Sequence, residues 1–266
     1  MPMEDSHIEQ KNNKIWENVL MGGAHEFNRA RSLFKYIPSN PRCHMCNAPF
    51  GNIGGPLMRW LYNKRPSSRN PNFCNFCETM ARDNPGGAEV ELSMLFADVR
   101  NSTGLAETMD ATTFRRLLNR FYAVASDALV NTDAMIDKLV GDEIIGLYIL
   151  GIAGPNHAKK ALEGAKEILK KTGHADLNGP WLPVGVGIHT GVAFVGSVGS
   201  TDRFLDFTAL GDAMNTAARI ASKAGAGEIL MSDTAFRAAH LENDAEERVL
   251  ELKGKSQPVT VRVLYS

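Results

Sequence analysis

Two aspartates stand where a divalent metal ion could bind. Asp98 ends the apolar run 95–97, which is predicted to be a strand, and Asp142 lies in the Gly141-Asp142 turn of a predicted hairpin. If these strands are neighbours, the two carboxylates face each other and repel unless a cation lies between them. A divalent metal with a triphosphate completing its coordination resolves this repulsion. Alternatively, Asp98 caps the next segment and Asp142 is an ordinary turn residue.

A second pair of polar residues could act on a phosphoryl group. Asn215 and Arg219 are four residues apart, so a helix places them on one face. An arginine suits the charge that develops on a transferring phosphoryl group, and an amide can orient an attacking sugar oxygen. The alternative is an exposed polar face that binds no ligand.

The four cysteines form two Cys-x-x-Cys pairs, Cys43/Cys46 and Cys74/Cys77, with 27 residues between the pairs. This pattern predicts a four-thiolate metal site rather than the disulfide framework of a secreted protein. Structural zinc is favoured, while an iron–sulfur cluster or a dithiol redox switch stays open. His44 could replace one ligand, but a bystander role is favoured.

Three segments are expected along the chain. Residues 1–40 are predicted to be helical, with two short helices between Ile15 and Tyr36 that are interrupted at Gly22-Gly23. Residues 41–82 form the four-cysteine module, in which repeated prolines exclude long helices or strands, so that the metal is expected to hold the segment together. A turn-rich linker then leads to a main domain over 88–266.

The main domain is predicted to alternate strands and helices. The expected order is a strand at 89–99, a helix at 111–130 capped by Asp110, a hairpin of 134–140 with 143–149, a helix from Asn156, a second hairpin of 182–189 with 192–198 around Gly191, a helix from Gly211, a strand at 228–231, a helix near Thr234, and closing strands around Val249 and Val259. This order indicates an antiparallel-rich sheet with helices on one face, an α+β fold of the ferredoxin-like type.

Four motifs in this domain resemble the class III adenylate and guanylate cyclases. They are Phe-Ala-Asp-Val at 96–99, Lys-x-x-Gly-Asp at 138–142, Gly-x-His-Thr-Gly at 187–191, and Thr-x-x-Gly-Asp-x-x-Asn-x-x-x-Arg at 208–219. Each motif is weak alone, whereas four in this order are specific. The resemblance runs from about Glu91 to Val263.

The resemblance implies a role for each motif. Asp98 and Asp142 look like the carboxylates that hold two Mg²⁺ or Mn²⁺ ions. Lys138 and Thr208 look like the pair that reads the purine, with the lysine donating to adenine N1 and the threonine addressing the exocyclic amine. ATP is therefore the favoured substrate.

The resemblance also implies the groups that act on the phosphates. Asn215 and Arg219 look like the transition-state residues, and Lys255 resembles the lysine that holds the terminal phosphates, with Lys253 as the competing candidate. The implied reaction is in-line attack of the ribose 3′-hydroxyl on the α-phosphorus, giving cyclic AMP and pyrophosphate. Because one chain carries both residue sets and such cyclases bind substrate between two domains, a head-to-tail homodimer is implied.

Two departures from the family pattern leave alternatives open. Asn101 replaces a glycine that is common in the turn after the first carboxylate, although asparagine tolerates positive φ better than most residues. Gly185 stands where some mammalian relatives carry an arginine. A nucleotide-binding pseudocyclase, or a cyclase acting on GTP or a pyrimidine triphosphate, are therefore the competing functions.

Charge and hydropathy limit the partners that the chain is expected to have. The net charge is −1, and such a balance gives no reason to expect a nucleic-acid or membrane partner. Residues 27–77 nevertheless form a basic island of eight basic and no acidic residues, interpreted as a solvated or cyclase-facing surface, with nucleic-acid binding less favoured. No run of about 20 apolar residues exists, so a soluble cytoplasmic protein is expected.

Overall fold

The computed structural model describes residues 2–37, 39–200, 205–242 and 245–266, with side chains from residue 7 onward. Its helices are α1 (Pro2–Leu20), α2 (His25–Phe34), α3 (Gly54–Tyr62), α4 (Asn75–Asp83), α5 (Ser102–Thr108), α6 (Ala111–Asn131), α7 (Leu150–Ala153), α8 (His157–Lys171), α9 (Asp212–Ala221) and α10 (Asp233–Ala238). Its strands are β1 (Gly87–Val99), β2 (Met135–Val140), β3 (Glu143–Ile149), β4 (Val184–Gly199), β5 (Leu205–Leu210), β6 (Ile229–Ser232), β7 (Glu246–Leu250) and β8 (Val259–Leu264).

The strands form one sheet in the order β2-β3-β1-β4-β6-β8-β7, and β5 pairs with β4. The pairing of β4 with β6 is parallel and the other described pairings are antiparallel. The long strand β1 lies at the centre, because β3 pairs with one of its edges and β4 with the other. The expected α+β fold with an antiparallel-rich sheet is confirmed.

One predicted hairpin is wrong, because β4 runs without interruption through Gly191. This glycine pairs with Leu92 inside the ladder between β1 and β4. A Cβ atom at Gly191 would lie 3.2 Å from the Cβ of Ala213 in α9. The glycine therefore does not form a turn but allows a helix to approach the strand closely. The strand that follows β4 in the chain and pairs with it antiparallel is β5.

Helices cover both faces of the sheet, whereas the sequence predicted one covered face. On one face α6, α8 and α10 contribute Phe121, Ile168 and Phe236 to a core that includes Leu95 of β1. On the other face α1 and α9 pack against the neighbouring positions of β1. Small residues let α9 approach β4 closely in this second layer. A Cβ atom at Gly187 of β4 would lie 2.3 Å from the backbone nitrogen of Ala221 in α9.

The N-terminal segment has two helices as predicted, separated by a turn in which Gly22 has a φ of +99°. Helix α1 is longer than expected. The cysteine module contains the helix α3, which the sequence analysis missed, because a proline in the first turn, here Pro56, does not stop a helix. No helix in the described part of the chain has the length and apolar character that crossing a membrane requires.

Candidate active site and metal centre

Three carboxylates gather where β1 meets the β2–β3 hairpin. Asp98 pairs with Glu143 in the ladder, and Asp142 precedes Glu143 in the turn. Burial raises the pKa of Asp98, and the charge of Asp142 raises it further. Burial, together with the charges of Asp98 and Asp142, raises the pKa of Glu143 to about 7. The like charges make this end of the sheet suited to bind a cation.

Arg100 is the cationic side chain that contacts this carboxylate cluster. Its guanidinium donates to the carboxylate of Asp98. Its Nη1 also donates to the carbonyl oxygens of Ala221, the last residue of α9, and of Ala224, at 3.3 and 3.2 Å. Sequence reasoning missed Arg100, because nothing in the spacing of the motif indicates a link to α9.

The two departures from the family pattern have structural explanations. Asn101 precedes α5 with a φ of 56° and a ψ of 34°, the left-handed conformation that asparagine adopts more easily than most residues. A Cβ at Gly185 would lie 2.8 Å from the carbonyl oxygen of Gly225 and 2.9 Å from that of Ala224. The segment after α9 therefore leaves no room for an arginine at position 185.

The two residues expected to read a base lie on neighbouring segments of the sheet. Lys138 is on β2 and Thr208 is on β5, and the two strands are in contact. The Nζ of Lys138 is 3.6 Å from Oδ2 of Asp206, two residues before Thr208. The ladder between β2 and β3 shifts register between Ile136 and Leu139, so an irregularity in the strand includes Lys138.

Helix α9 and the segment before β8 form a basic cavity. The cavity has a volume of about 620 Å³, and Arg219, Lys253 and Lys255 line it. Lys255 also pairs with the carboxylate of Asp212, at the start of α9. Asn215 lies one helical turn before Arg219 and is exposed. Both lysines that were considered for phosphate binding therefore lie near Arg219.

The carboxylates and helix α9 are linked indirectly, through Arg100. Among the described residues, no hydrogen bond or ion pair joins Asp98 or Asp142 to Asn215 or Arg219. The carboxylates lie at the end of β1, while Arg219 opens onto the cavity beside the segment that precedes β8.

The four cysteines converge in a buried cluster. The Sγ atoms of Cys43, Cys46, Cys74 and Cys77 all lie within 4.8 Å of one another, and the four residues are at most 1% exposed. Zinc–thiolate bonds of about 2.3 Å give neighbouring sulfurs about 3.8 Å apart in a tetrahedron. The Sγ atoms of Cys46 and Cys74 are 3.7 Å apart. The donor set could therefore hold a metal ion, and His44 is not part of it.

Two basic side chains of the basic island contact this cluster. The Nζ of Lys64 is 3.7 Å from the Sγ of Cys46 and 3.8 Å from that of Cys74. Burial disfavours the Lys64 ammonium, but the charges of these cysteines outweigh burial and raise its pKa. Arg31 is only 3% exposed. Its guanidinium donates to the carbonyl of Met45, within the first knuckle, and to the carbonyl of Ala134, just before β2.

His44 faces the same strand from the first knuckle. Burial lowers the pKa of His44 to about 4, although hydrogen bonding to the backbone of Ile136 and Asp137 opposes this shift. The cysteine module is therefore joined to the residue that precedes β2 through Arg31. Part of the basic island faces the catalytic sheet, as one of the two interpretations of the sequence proposed.

The fold is that of a nucleotide cyclase domain. The model of the adenylate and guanylate cyclase catalytic domain matches residues 88–264. The chain belongs to this family, the class III nucleotide cyclases, which are phosphorus–oxygen lyases.

The chain resembles both adenylate cyclases and guanylyl cyclases. It is 31% identical over 182 residues to an adenylate cyclase of Anabaena cylindrica, which covers 64% of this chain and 36% of that protein. Among solved structures, the guanylyl cyclase Cya2 has 25% identity and a TM-score of 0.59, covering 66% of this chain and 92% of that chain. The adenylyl cyclase CyaB from P. aeruginosa has 28% identity and a TM-score of 0.58, covering 67% and 95%. The chain spans about a third of the length of the curated relatives that it matches.

The contacts of Arg31 generate a stability prediction. We expect Arg31→Ala to lower the free energy of unfolding by about 3 kcal/mol, because it removes a buried charge and leaves two carbonyl groups unpaired. The measurement is chemical denaturation of the whole chain. Arg29→Ala, at an exposed position of the same helix, is the matched control and should change stability by less than about 0.5 kcal/mol. Equal effects of the two variants would contradict a structural role for Arg31.

Proposed function

We propose that the chain is an adenylate cyclase that converts ATP to 3′,5′-cyclic AMP and pyrophosphate. The observation that carries this proposal is the position of Lys138 and Thr208 on two strands that touch. A lysine ammonium can donate to adenine N1, and a threonine oxygen can accept from the exocyclic amine. The similarity to the adenylate cyclase of Anabaena cylindrica supports the same substrate.

The carboxylate cluster fits divalent cations. Burial, followed by the charges of Asp98 and Asp142, raises the pKa of Glu143, and a bound cation would offset the negative charge that these carboxylates bring together. Two Mg²⁺ or Mn²⁺ ions bound by Asp98 and Asp142 would favour ionisation of the attacking hydroxyl and stabilise the departing pyrophosphate.

The chain's own cations act on the phosphates. Arg219 offers a guanidinium to the charge that builds on the α-phosphoryl group, and Asn215 orients the ribose through its amide. Lys255 binds the terminal phosphates, for which it must exchange its ion pair with Asp212. Lys253 lines the same cavity and is the second candidate for this contact.

A head-to-tail homodimer completes each site in this proposal. No direct hydrogen bond or ion pair joins Asp98 or Asp142 to Arg219 within the described part of one chain, and in this proposal a second copy supplies the complementary group. Closed twofold symmetry then produces two equivalent sites.

A cyclase that acts on GTP is the second candidate, which the structural similarity to the guanylyl cyclase Cya2 favours. A pseudocyclase is less well supported. Asn101 adopts the left-handed conformation of the turn, and the packing around Gly185 accounts for its missing side chain.

We also propose that the four cysteines bind one structural zinc ion. All four Sγ atoms lie within 4.8 Å of one another, and the 3.7 Å between the Sγ atoms of Cys46 and Cys74 is close to the separation of about 3.8 Å in a tetrahedral zinc–thiolate site. An iron–sulfur cluster places several irons and sulfides between its thiolates and so spreads them further apart. Arg31 and Lys64 offset the charge of such a centre, and the module supports β2 through Arg31.

The first test is product formation from each of the four nucleoside triphosphates with Mg²⁺ or Mn²⁺. We expect cyclic AMP to be the dominant product, because Lys138 and Thr208 complement adenine. Dominant cyclic GMP would overturn the assigned specificity. Tight nucleotide binding without any product would indicate a pseudocyclase instead.

A second test addresses the shared site. Asp98→Ala and Arg219→Ala should each abolish turnover, and an equimolar mixture should recover about a quarter of the wild-type activity. Half of the randomly assembled dimers are then mixed, and each mixed dimer has one intact site. The matched control mixes Asn215→Ala with Arg219→Ala, where no mixed dimer contains an intact site. No recovery in the first mixture, with subunit exchange verified, would argue against sites shared between chains.

A third test identifies the metal. Elemental analysis of the wild type should find about one zinc ion per chain, and Cys74→Ser should lose most of it, because three thiolates bind zinc more weakly than four. Asn72→Ser, an exposed change nearby, should retain the ion. Iron together with inorganic sulfide in the wild type would show that the cysteines hold an iron–sulfur cluster instead of zinc. An absence of any metal would favour a dithiol switch.

A further inference from the structure

Asp137 is a buried carboxylate beside the residues proposed to read the base. It is 7% exposed, and none of the roles given above uses it. Its Oδ1 atom is buried and has no hydrogen-bond partner among the described residues. A carboxylate in such a position is unfavourable unless other groups stabilise it.

Those stabilising groups come from β5. Burial raises the pKa of Asp137 to about 6, while hydrogen bonding from the Thr208 side chain and from the backbone of Ala209 opposes the rise. Thr208 is itself buried, at 2% exposure. The register shift between Ile136 and Leu139 includes Asp137, and such irregularities redirect side chains next to active sites. Asp137 therefore lies in the irregular part of β2, and β2 is in contact with β5, the strand that carries Thr208.

A threonine hydroxyl has one proton to donate and two lone pairs that accept. When its proton is directed to Asp137, the Thr208 oxygen can only accept from a base. Adenine carries an amine at position 6, which donates, whereas guanine carries a carbonyl oxygen there, which accepts. A buried acceptor facing the guanine carbonyl would leave both groups unpaired, which strongly disfavours binding.

We propose that Asp137 is a positioning residue that fixes the Thr208 hydroxyl as a hydrogen-bond acceptor and so selects adenine over guanine. The inference rests on the proposed function, since it assigns the reason for ATP specificity at the same site. Asp206 complements this arrangement, because it holds the Lys138 ammonium on the same edge at 3.6 Å. The lysine donor then meets adenine N1, an acceptor, whereas guanine N1 carries a proton.

The central variant is Asp137→Asn, which keeps the size of the side chain. Its amide can donate to the Thr208 oxygen and release the hydroxyl proton toward a guanine carbonyl. We expect the ratio of kcat/KM for ATP to that for GTP to fall about tenfold, the effect of one hydrogen bond. Asp127→Asn, on α6 and partnered by Asn40 instead, is the matched control and should leave the ratio unchanged.

A double-mutant cycle separates positioning from general support of the pocket. Thr208→Val removes the hydroxyl but keeps the shape, so Asp137→Asn should cause no further change of the ratio in that background. An equal fall with and without Thr208 would mean that Asp137 acts structurally, and the inference would be wrong.

Wild-type protein provides a test that does not depend on folding of the variants. Inosine triphosphate carries a carbonyl at position 6 and lacks the 2-amino group of GTP, so it should be rejected as GTP is. Acceptance of inosine triphosphate at a rate near that of ATP would overturn the inference.

The outcomes also distinguish the inference from the proposed function. If the wild type prefers ATP and Asp137→Asn retains that preference, the inference fails while the adenylate cyclase remains. If the wild type prefers GTP or makes no product, the proposed function fails first. Binding of non-reactive ATP and GTP analogues then still reports the selectivity of the pocket, and unchanged relative affinity in Asp137→Asn would also overturn the inference.

Discussion

The buried guanidinium of Arg31 joins the cysteine module to the sheet of the cyclase domain, and the edge strand β2 depends on this contact. β2 is the edge strand of the sheet and pairs only with β3 in the described ladder. An edge strand with an internal irregularity has few constraints of its own. The hydrogen bond from Arg31 to the carbonyl of Ala134, just before β2, adds support from outside the sheet. The N-terminal module therefore positions the strand that carries Lys138.

The charge balance of the module follows from the same contact. A divalent ion with four thiolates carries a net charge of −2, which the cations of Arg31 and Lys64 offset. Burial lowers the pKa of Arg31, and the charges of Cys46 and Asp133 oppose that shift. Without the ion, protonated thiols would no longer stabilise a guanidinium that is almost completely buried. Binding of such an ion would thus be coupled to the position of β2 through one side chain.

The sequence could predict those elements whose signals are local. The Asp110 cap begins α6, and the apolar stretches on either side of the Gly141 turn form β2 and β3 within one residue of the prediction. Gly191 misled the prediction, because a glycine that admits a neighbouring helix has the same appearance as a turn glycine. Arg100 and Asp137 were missed because their partners lie on α9 and β5, far away in sequence. Local spacing identifies a motif, but only the fold identifies the neighbours that tune it.

Arg100 gives the proposed dimer a further property. It connects Asp98 with the carbonyl groups that follow α9. In a head-to-tail dimer, Asp98 of one chain serves one site, while Asn215 and Arg219 of that same chain serve the other. A cation bound by Asp98 competes with Arg100 for the carboxylate, and any release of Arg100 removes hydrogen bonds from the C-terminal end of α9. In such a dimer, occupancy of one site would act on the helix of the second site through a single guanidinium group.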